Sequence, residues 1–213
     1  MRYYAAHTTG RQNRETLRNL EWGMLGSAAY RWRDEEWGPL DQGGLGWALD
    51  NGAWGAFTAG RAFDDDAFRR AVGEAGRLDF VVVPDVVMDA DGTRAMRDRW
   101  LDWTLANADA ARVLLPVQNG MEHDELPLSD QIGIFVGGDD RWKERTMHHW
   151  RARTDAAGAY LHVGRVNSVR RLESCWLVGA DSVDGSGASR WSKHAMRLGM
   201  AFAGMRRQGR MFA

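Results

Sequence analysis

The chain has 213 residues, 44% of them hydrophobic and 27% charged, with a formal net charge of -1. That length suits one sizeable domain or a compact α/β barrel, and the charge balance does not mark a uniformly basic nucleic-acid binder. One cysteine, Cys175, excludes a disulfide within the chain and weighs against a cysteine-based zinc site, and no run approaches the ~18 apolar residues of a membrane span.

Arg2 to His7 reads as a first short strand, Gln12 to Leu20 as a polar helix and Trp22 to Ser27 as a second strand. Arg31 to Gly46, rich in Gly, Asp and Trp, reads as a loop or partly mobile lid. Leu45 to Asp50 is a third strand. Asp64, Asp65 and Asp66 precede Phe68, Val72 and Ala75, which recur at helical spacing, and acids in a first turn suit the helix dipole. Asp79 to Pro84 is a fourth strand. Gly92 to Ala108 is helical, with Met96, Trp100, Trp103 and Leu105 near one face. Arg112 to Gln118 and Gln131 to Gly137 are the fifth and sixth strands. Arg141 to Ala156 is helical, and Ala159 to Val163 is the seventh strand. Val169 to Ser174 is a short helix, Trp176 to Ala180 an eighth strand, and 190–213 a basic helical tail packed on or extending from a barrel of residues 1–189. Eight strands alternating with helices predict an α/β fold, a compact (β/α)8 TIM-type barrel. It is smaller than the typical ~250 residues, so some connecting helices must be short or missing. The alternative is an open doubly wound sheet, but no Gly-x-Gly-x-x-Gly follows the first strand.

Three aspartates, Asp50, Asp85 and Asp184, sit at or just beyond apolar runs that read as buried parallel strands. In a parallel barrel the carboxyl ends of the strands converge on one face and build the active site. In Asp50-Asn51-Gly52-Ala53-Trp54, the acid contacts substrate while Trp54 stacks on a planar ring, or the segment is simply an Asx-turn. Asp85 after Pro84 reads alone as a helix N-cap or turn acid. Gln118 ends a strand with an amide suited to a heterocycle edge. Gly137-Gly138, before Asp139, Asp140 and Lys143, is a turn into a helix start whose N–H groups could bind phosphate or a carbonyl oxygen. His162 points into the barrel mouth or is structural, and Arg165 is a candidate phosphate contact. Asp181 and Asp184 flank a run of small residues and are rival nucleophiles.

The order of these motifs resembles the queuine/archaeosine tRNA-guanine transglycosylase superfamily. That family has an Asp-Ser-Gly-Gly-aromatic turn, a later strand-end Asp, a Gln-Gly pair, a Gly-Gly turn and a late Asp nucleophile on a barrel. The counterparts run from about Leu45 to Gly187: Asp50-Asn51-Gly52-Ala53-Trp54, Asp85, Gln118, Gly137-Gly138 and Asp184. The chain looks most like the short, phage-type relatives that place 7-deazaguanines in DNA. Gly137-Gly138 with Trp142-Lys143, then His162-Val163-Gly164-Arg165 and Asp181-Ser182-Val183-Asp184-Gly185, carry that likeness. The chain departs from the tRNA enzymes in lacking their Cys/His zinc insert, in Asn51 for Ser, and in His162 for a Met under the base.

The resemblance implies a base exchange that replaces guanine in DNA with a 7-deazaguanine such as 7-cyano-7-deazaguanine (preQ0), with no cofactor and no metal. Asp184 would be the nucleophile at C1′ and Asp50 the general acid/base. Asp181 would be the alternative nucleophile or its support. Asp85, Gln118, Gly137, Gly138 and Asn51 would hold the base, and Trp54 and His162 would sandwich it. Basic groups, Lys143, Arg165, Arg170, Arg171, Arg190 and Lys193, would hold the nucleic-acid backbone. From Arg151 to Ala213 eleven Arg or Lys face four Asp or Glu, which fits that role. The expected partners are DNA, the free base and an accessory DNA-opening protein. The alternatives are exchange in tRNA, a non-catalytic nucleic-acid-binding barrel subunit, and a metabolic barrel enzyme acting on a small phosphorylated compound. The N-terminus is short and polar for a signal peptide, and one cysteine suits a cytoplasmic protein, including a phage-encoded one acting in a bacterial host.

Overall fold

Successive side chains of a strand face opposite ways, so apolar residues at every position call for a sheet buried on both faces. That is the pattern of β4 (Phe80–Val82) and β5 (Val113–Val117), and, apart from the charged end residues Arg2 and Asp50, of β1 (Arg2–Ala6) and β3 (Trp47–Asp50). The computed structural model describes residues 1–8, 10–29 and 46–211, with side chains to residue 207. In it these strands join β2 (Gly23–Ser27), β6 (Ile132–Val136), β7 (Leu161–Val163) and β8 (Ser182–Gly185) in a closed, all-parallel barrel. Closure is direct: β1 pairs with β8 from Arg2 opposite Ser182 to Ala5 opposite Gly185. The protein is an α/β (β/α)8 TIM-type barrel, and the open doubly wound sheet is excluded.

The two faces make two cores. Tyr4, Leu25, Ala48, Phe80, Val82 and Leu114, with Phe135 and Tyr160, fill the barrel interior. Tyr3, Leu49, Val81, Leu115, Val136, Val163 and Val183 face outward under the helices. Those helices are α1 (Arg11–Asn19), α2 (Ala53–Thr58), α3 (Asp65–Glu74), α4 (Ala90–Asn107), α5 (Asp140–Ala157), α6 (Val169–Val178), α7 (Gly187–Arg190) and α8 (Ser192–Met211). Trp100, Trp142 and Trp150 are buried among them, so much of the tryptophan content serves packing. Side-chain caps start the longer helices: Asp64 accepts from Ala67 N–H, Asp89 from Gly92 N–H and Asp139 from Trp142 N–H. The basic tail forms α8, which joins the outer core through Ala195, Leu198, Phe202 and Met205. The small size is met partly between β5 and β6, which are joined without a helix.

Three elements differ from the sequence reading. Trp176–Ala180 is not a strand. Leu172, Cys175 and Val178 recur at helical spacing and are buried, so α6 continues to Val178 and closes on Gly179 at φ 81°. The eighth strand is Ser182–Gly185 instead. Ala53 and Trp54, expected within a turn, instead begin α2. The loop or lid expected over 31–46, and the first residue of the expected third strand, lie outside the described residues apart from Gly46. Among the described residues no helix is long and apolar enough to cross a membrane.

The β6–β7 contact leaves no room for a side chain at Gly133. A Cβ there would stand 2.5 Å from the Tyr160 carbonyl oxygen and 2.7 Å from Leu114 Cδ2. Gly133→Ala is expected to lower stability by about 1–3 kcal/mol, read as a lower urea midpoint. An unchanged midpoint would contradict this packing.

Candidate active site at the carboxyl mouth of the barrel

The alternation that fills the interior also delivers polar groups to its carboxyl end. Ala48 and Leu114 are interior residues. Two positions beyond Ala48 the inward residue is Asp50, and four beyond Leu114 it is Gln118. Two beyond Phe135 it is Gly137, and two beyond Ser182 it is Asp184. They line a cavity of about 440 Å³ together with Asn51, Trp54, Asp85, Gly138, Lys143 and Arg165.

On one side the groups form a fixed polar array. Asp85 follows Pro84 out of β4 and is buried. Its Oδ1 accepts from Asn51 Nδ2 at 2.9 Å and its Oδ2 from Gln118 Nε2 at 2.5 Å. Asn51 Nδ2 also donates to the Val83 carbonyl at 2.8 Å, and its Oδ1 accepts from Ala53 N–H at 2.8 Å. Gln118 Oε1 accepts from Gly138 N–H at 2.8 Å. Both amides therefore have one orientation that satisfies their neighbours. Gly138 has φ 70°, and a Cβ there would come within 2.5 Å of Asn119 Oδ1 and 2.7 Å of Trp142 Cε3, so the position needs glycine. Burial pushes the Asp85 carboxyl above its usual range, and the Asn51 and Gln118 hydrogen bonds oppose that.

Opposite, Asp184 is buried and held at both oxygens. Oδ1 accepts from Arg165 N–H at 3.2 Å, and Oδ2 lies 2.9 Å from His162 Nε2. His162 Nδ1 lies 2.7 Å from Ser182 Oγ. With its proton on Nε2, the imidazole donates to Asp184 and accepts from the serine hydroxyl. His162 is fully buried and stacks on Phe135, with ring centroids 4.9 Å apart and planes 17° from parallel. It thus lies beneath the cavity and supports Asp184, rather than facing Trp54 across it. Phe135 lines the cavity there instead. The sequence reading missed Phe135, although its place two residues before Gly137 on one face of β6 was the available signal.

Asp50 completes the carboxylate set. Its Oδ2 accepts from Gly52 N–H at 3.1 Å. Burial, and then the charge of Asp184, push its carboxyl up to about 7. At neutral pH it is poised between acid and base.

The cations fall into two groups. Lys143 is buried, donates to the Gly164 carbonyl at 2.7 Å and lies 3.4 Å from Asp140; it lines the cavity with Arg165 and Arg190. Burial lowers its pKa. Arg170 and Arg171 instead pair with Glu144, and Arg171 also with Asp140, while Lys193 is exposed on α8; none of the three lines the cavity. The helix start after Gly138 is capped by Asp139, so the protein's own carboxylate meets the Trp142 N–H there. Asp181 stands apart from the site. It precedes β8 at the amino end, accepts from Leu161 N–H at 2.8 Å and pairs with Arg151 at 3.0 Å. The residue shift in the eighth strand is what carries it away from the mouth. Among the described residues, no group of three or more His, Cys, Asp or Glu is arranged to hold a metal ion.

Compared with known proteins, the sequence matches no family model and no curated protein.

The Asp50 site has a stability consequence. Below the ordinary carboxylate range Asp50 is protonated both folded and unfolded. As pH rises towards about 7 the unfolded chain releases this proton while the native site keeps it, so stability falls. Above about 7 the penalty is constant. Asp50→Asn, which keeps an acceptor for Gly52 N–H, should stabilise the protein at pH 8 by an amount on the order of 2–4 kcal/mol. The gain should vanish near pH 4. Urea titrations at both pH values check this, and a gain independent of pH would contradict it.

Proposed function

We propose that the protein is a base-exchange transglycosylase that replaces guanine in DNA with a 7-deazaguanine such as preQ0. The observation that carries the reading is the placement of two carboxyl groups at one cavity in different environments. Asp50 is held near neutrality, and Asp184 is gripped by two donors. Acid/base roles follow from such a split.

Exchange proceeds at C1′ of an extruded nucleotide. An Asp184 oxygen attacks C1′ as the C1′–N9 bond breaks through an oxocarbenium-like transition state, and the adjacent carboxylate stabilises the developing positive charge. The bonding electrons pass to N9, which takes the Asp50 proton, and guanine leaves. An incoming 7-deazaguanine returns a proton from its N9 to Asp50. That nitrogen attacks C1′, the ester bond to Asp184 breaks, and the carboxylate is regenerated. The ester retains the free energy of the old bond, so no ATP is needed. Asp85, Gln118 and Asn51 form the polar wall against which the base edge rests, with Trp54 stacking on its face and Phe135 beneath. Gly138 contributes by orienting Gln118 as well as by letting the ligand approach closely. Lys143, Arg165 and Arg190 meet phosphates of the strand, and a separate protein opens duplex DNA.

Incubation with radiolabelled guanine tests this, with single-stranded DNA, duplex DNA and tRNA in parallel. Label should enter DNA, and Asp184→Asn should reduce incorporation by ~10³-fold or more. Label entering tRNA alone would move the substrate to RNA while keeping the chemistry. Label entering no nucleic acid would contradict the proposal.

A further inference from the structure

We infer that Arg165 is a surrogate for the base: its guanidinium occupies the stacking face of Trp54 and yields it to a purine when a nucleic-acid phosphate draws the guanidinium away. The inference rests on the proposed function, and extends it to what clears the stacking face for a base.

The geometry is unusual for a surface arginine. Trp54 lies in the first turn of α2, after β3, and Arg165 lies two residues past β7. In a closed eight-stranded barrel, strands three and seven are diametrically opposed, so the contact crosses the whole mouth. The guanidinium carbon stands 4.1 Å from the Trp54 ring centroid, close enough for direct cation–π contact with the ring face. Both residues line the cavity that also holds Asp50 and Asp184.

The arginine is launched from a fixed point. Its backbone has φ 62°, a region disfavoured for residues with a Cβ. Such a conformation persists only where the surroundings over-determine it. Here they do: Lys143 Nζ donates to the Gly164 carbonyl at 2.7 Å, and Arg165 N–H donates to Asp184 Oδ1 at 3.2 Å. Val166 N–H donates to the Asp184 carbonyl at 2.6 Å, and Tyr3 Oη donates to the Val166 carbonyl at 3.0 Å. The segment that carries the side chain is thus the same one that holds the nucleophile.

A guanidinium and a purine are both planar and compete for one face of Trp54. A free base must displace the guanidinium unaided. A polynucleotide whose sugar sits against Asp184 brings a phosphate beside Arg165, and a phosphate is the stronger, charge-assisted partner for that fork of donors. Polynucleotide binding therefore clears the stacking face, first for its own extruded guanine and, once that base has left, for the incoming one.

Arg165→Gly removes the side chain at a backbone angle that suits glycine. Arg165→Asn, which also tolerates that angle, is the second variant. Calorimetric titration of free preQ0 into each variant should show binding about 3- to 10-fold tighter than wild type, the scale of a lost cation–π contact. A single-stranded oligonucleotide containing guanine should bind more weakly. The slope of log K against log salt should fall by about 0.7, as for one lost phosphate contact on a single strand. Opposite movement of the two affinities supports the inference. Wild type that binds both ligands, with variants that lose both or leave the base affinity unchanged, overturns it alone. Wild type that binds neither overturns the proposed function and this inference with it.

Discussion

Ionised carboxylates gathered in one buried cavity repel one another and lose hydration, so a fold that places three at one mouth must treat each differently. Barrel closure forces the problem, because it brings the carboxyl ends of β3, β4 and β8 together. Asp85 is met by two amides that have no other good orientation. Asp184 has a backbone N–H on one oxygen and His162 on the other. Asp50, buried and with Asp184 for a neighbour, relieves the strain by holding a proton to about pH 7. The three acids are one coupled electrostatic unit.

That division suits a reaction in which a single proton must move to a leaving base and return from an incoming one while another carboxylate forms a bond to carbon. The rest of the site serves the division. His162 reaches Asp184 only because Ser182 fixes its other nitrogen and Phe135, Phe80 and Tyr4 pack its ring within the barrel. Gly138 reaches Gln118 only because its φ of 70° and lack of a Cβ let the turn close on Asn119 and Trp142.

Much of this was legible in the residues. Asp50 ends an apolar run and Asp85 follows one at once, so a parallel barrel places both at one mouth; Asp184, expected beyond a strand at Trp176–Ala180, reaches the mouth instead within β8. Gln118 and Gly137-Gly138 followed by the same reasoning. The misreadings have specific causes. Trp176–Ala180 is an apolar run short enough for a strand, and only the buried spacing of Leu172, Cys175 and Val178 marks it as the last turns of a helix. That error placed Asp181 in the mouth, whereas it pins the amino end of β8. His162 was expected against the base from the family resemblance; it does face the barrel interior, in register with Phe135 and Ser182, but is fully buried beneath the cavity. Counting from Gly137 along one face of β6 reaches Phe135, which lines the cavity where His162 does not. The Arg165–Trp54 contact joins opposite sides of a closed sheet, and no local pattern encodes it.

The central claim is that Asp184 forms a bond to the sugar of a nucleic acid. Its most direct test is intact mass after incubating the protein with a guanine-containing single-stranded oligonucleotide and quenching in acid. The account predicts a covalent protein–DNA species of mass equal to protein plus oligonucleotide less one guanine, with the linkage mapping by peptide fragmentation to Asp184. Unmodified protein under conditions where the oligonucleotide is bound, or a linkage mapping to another residue, would contradict it.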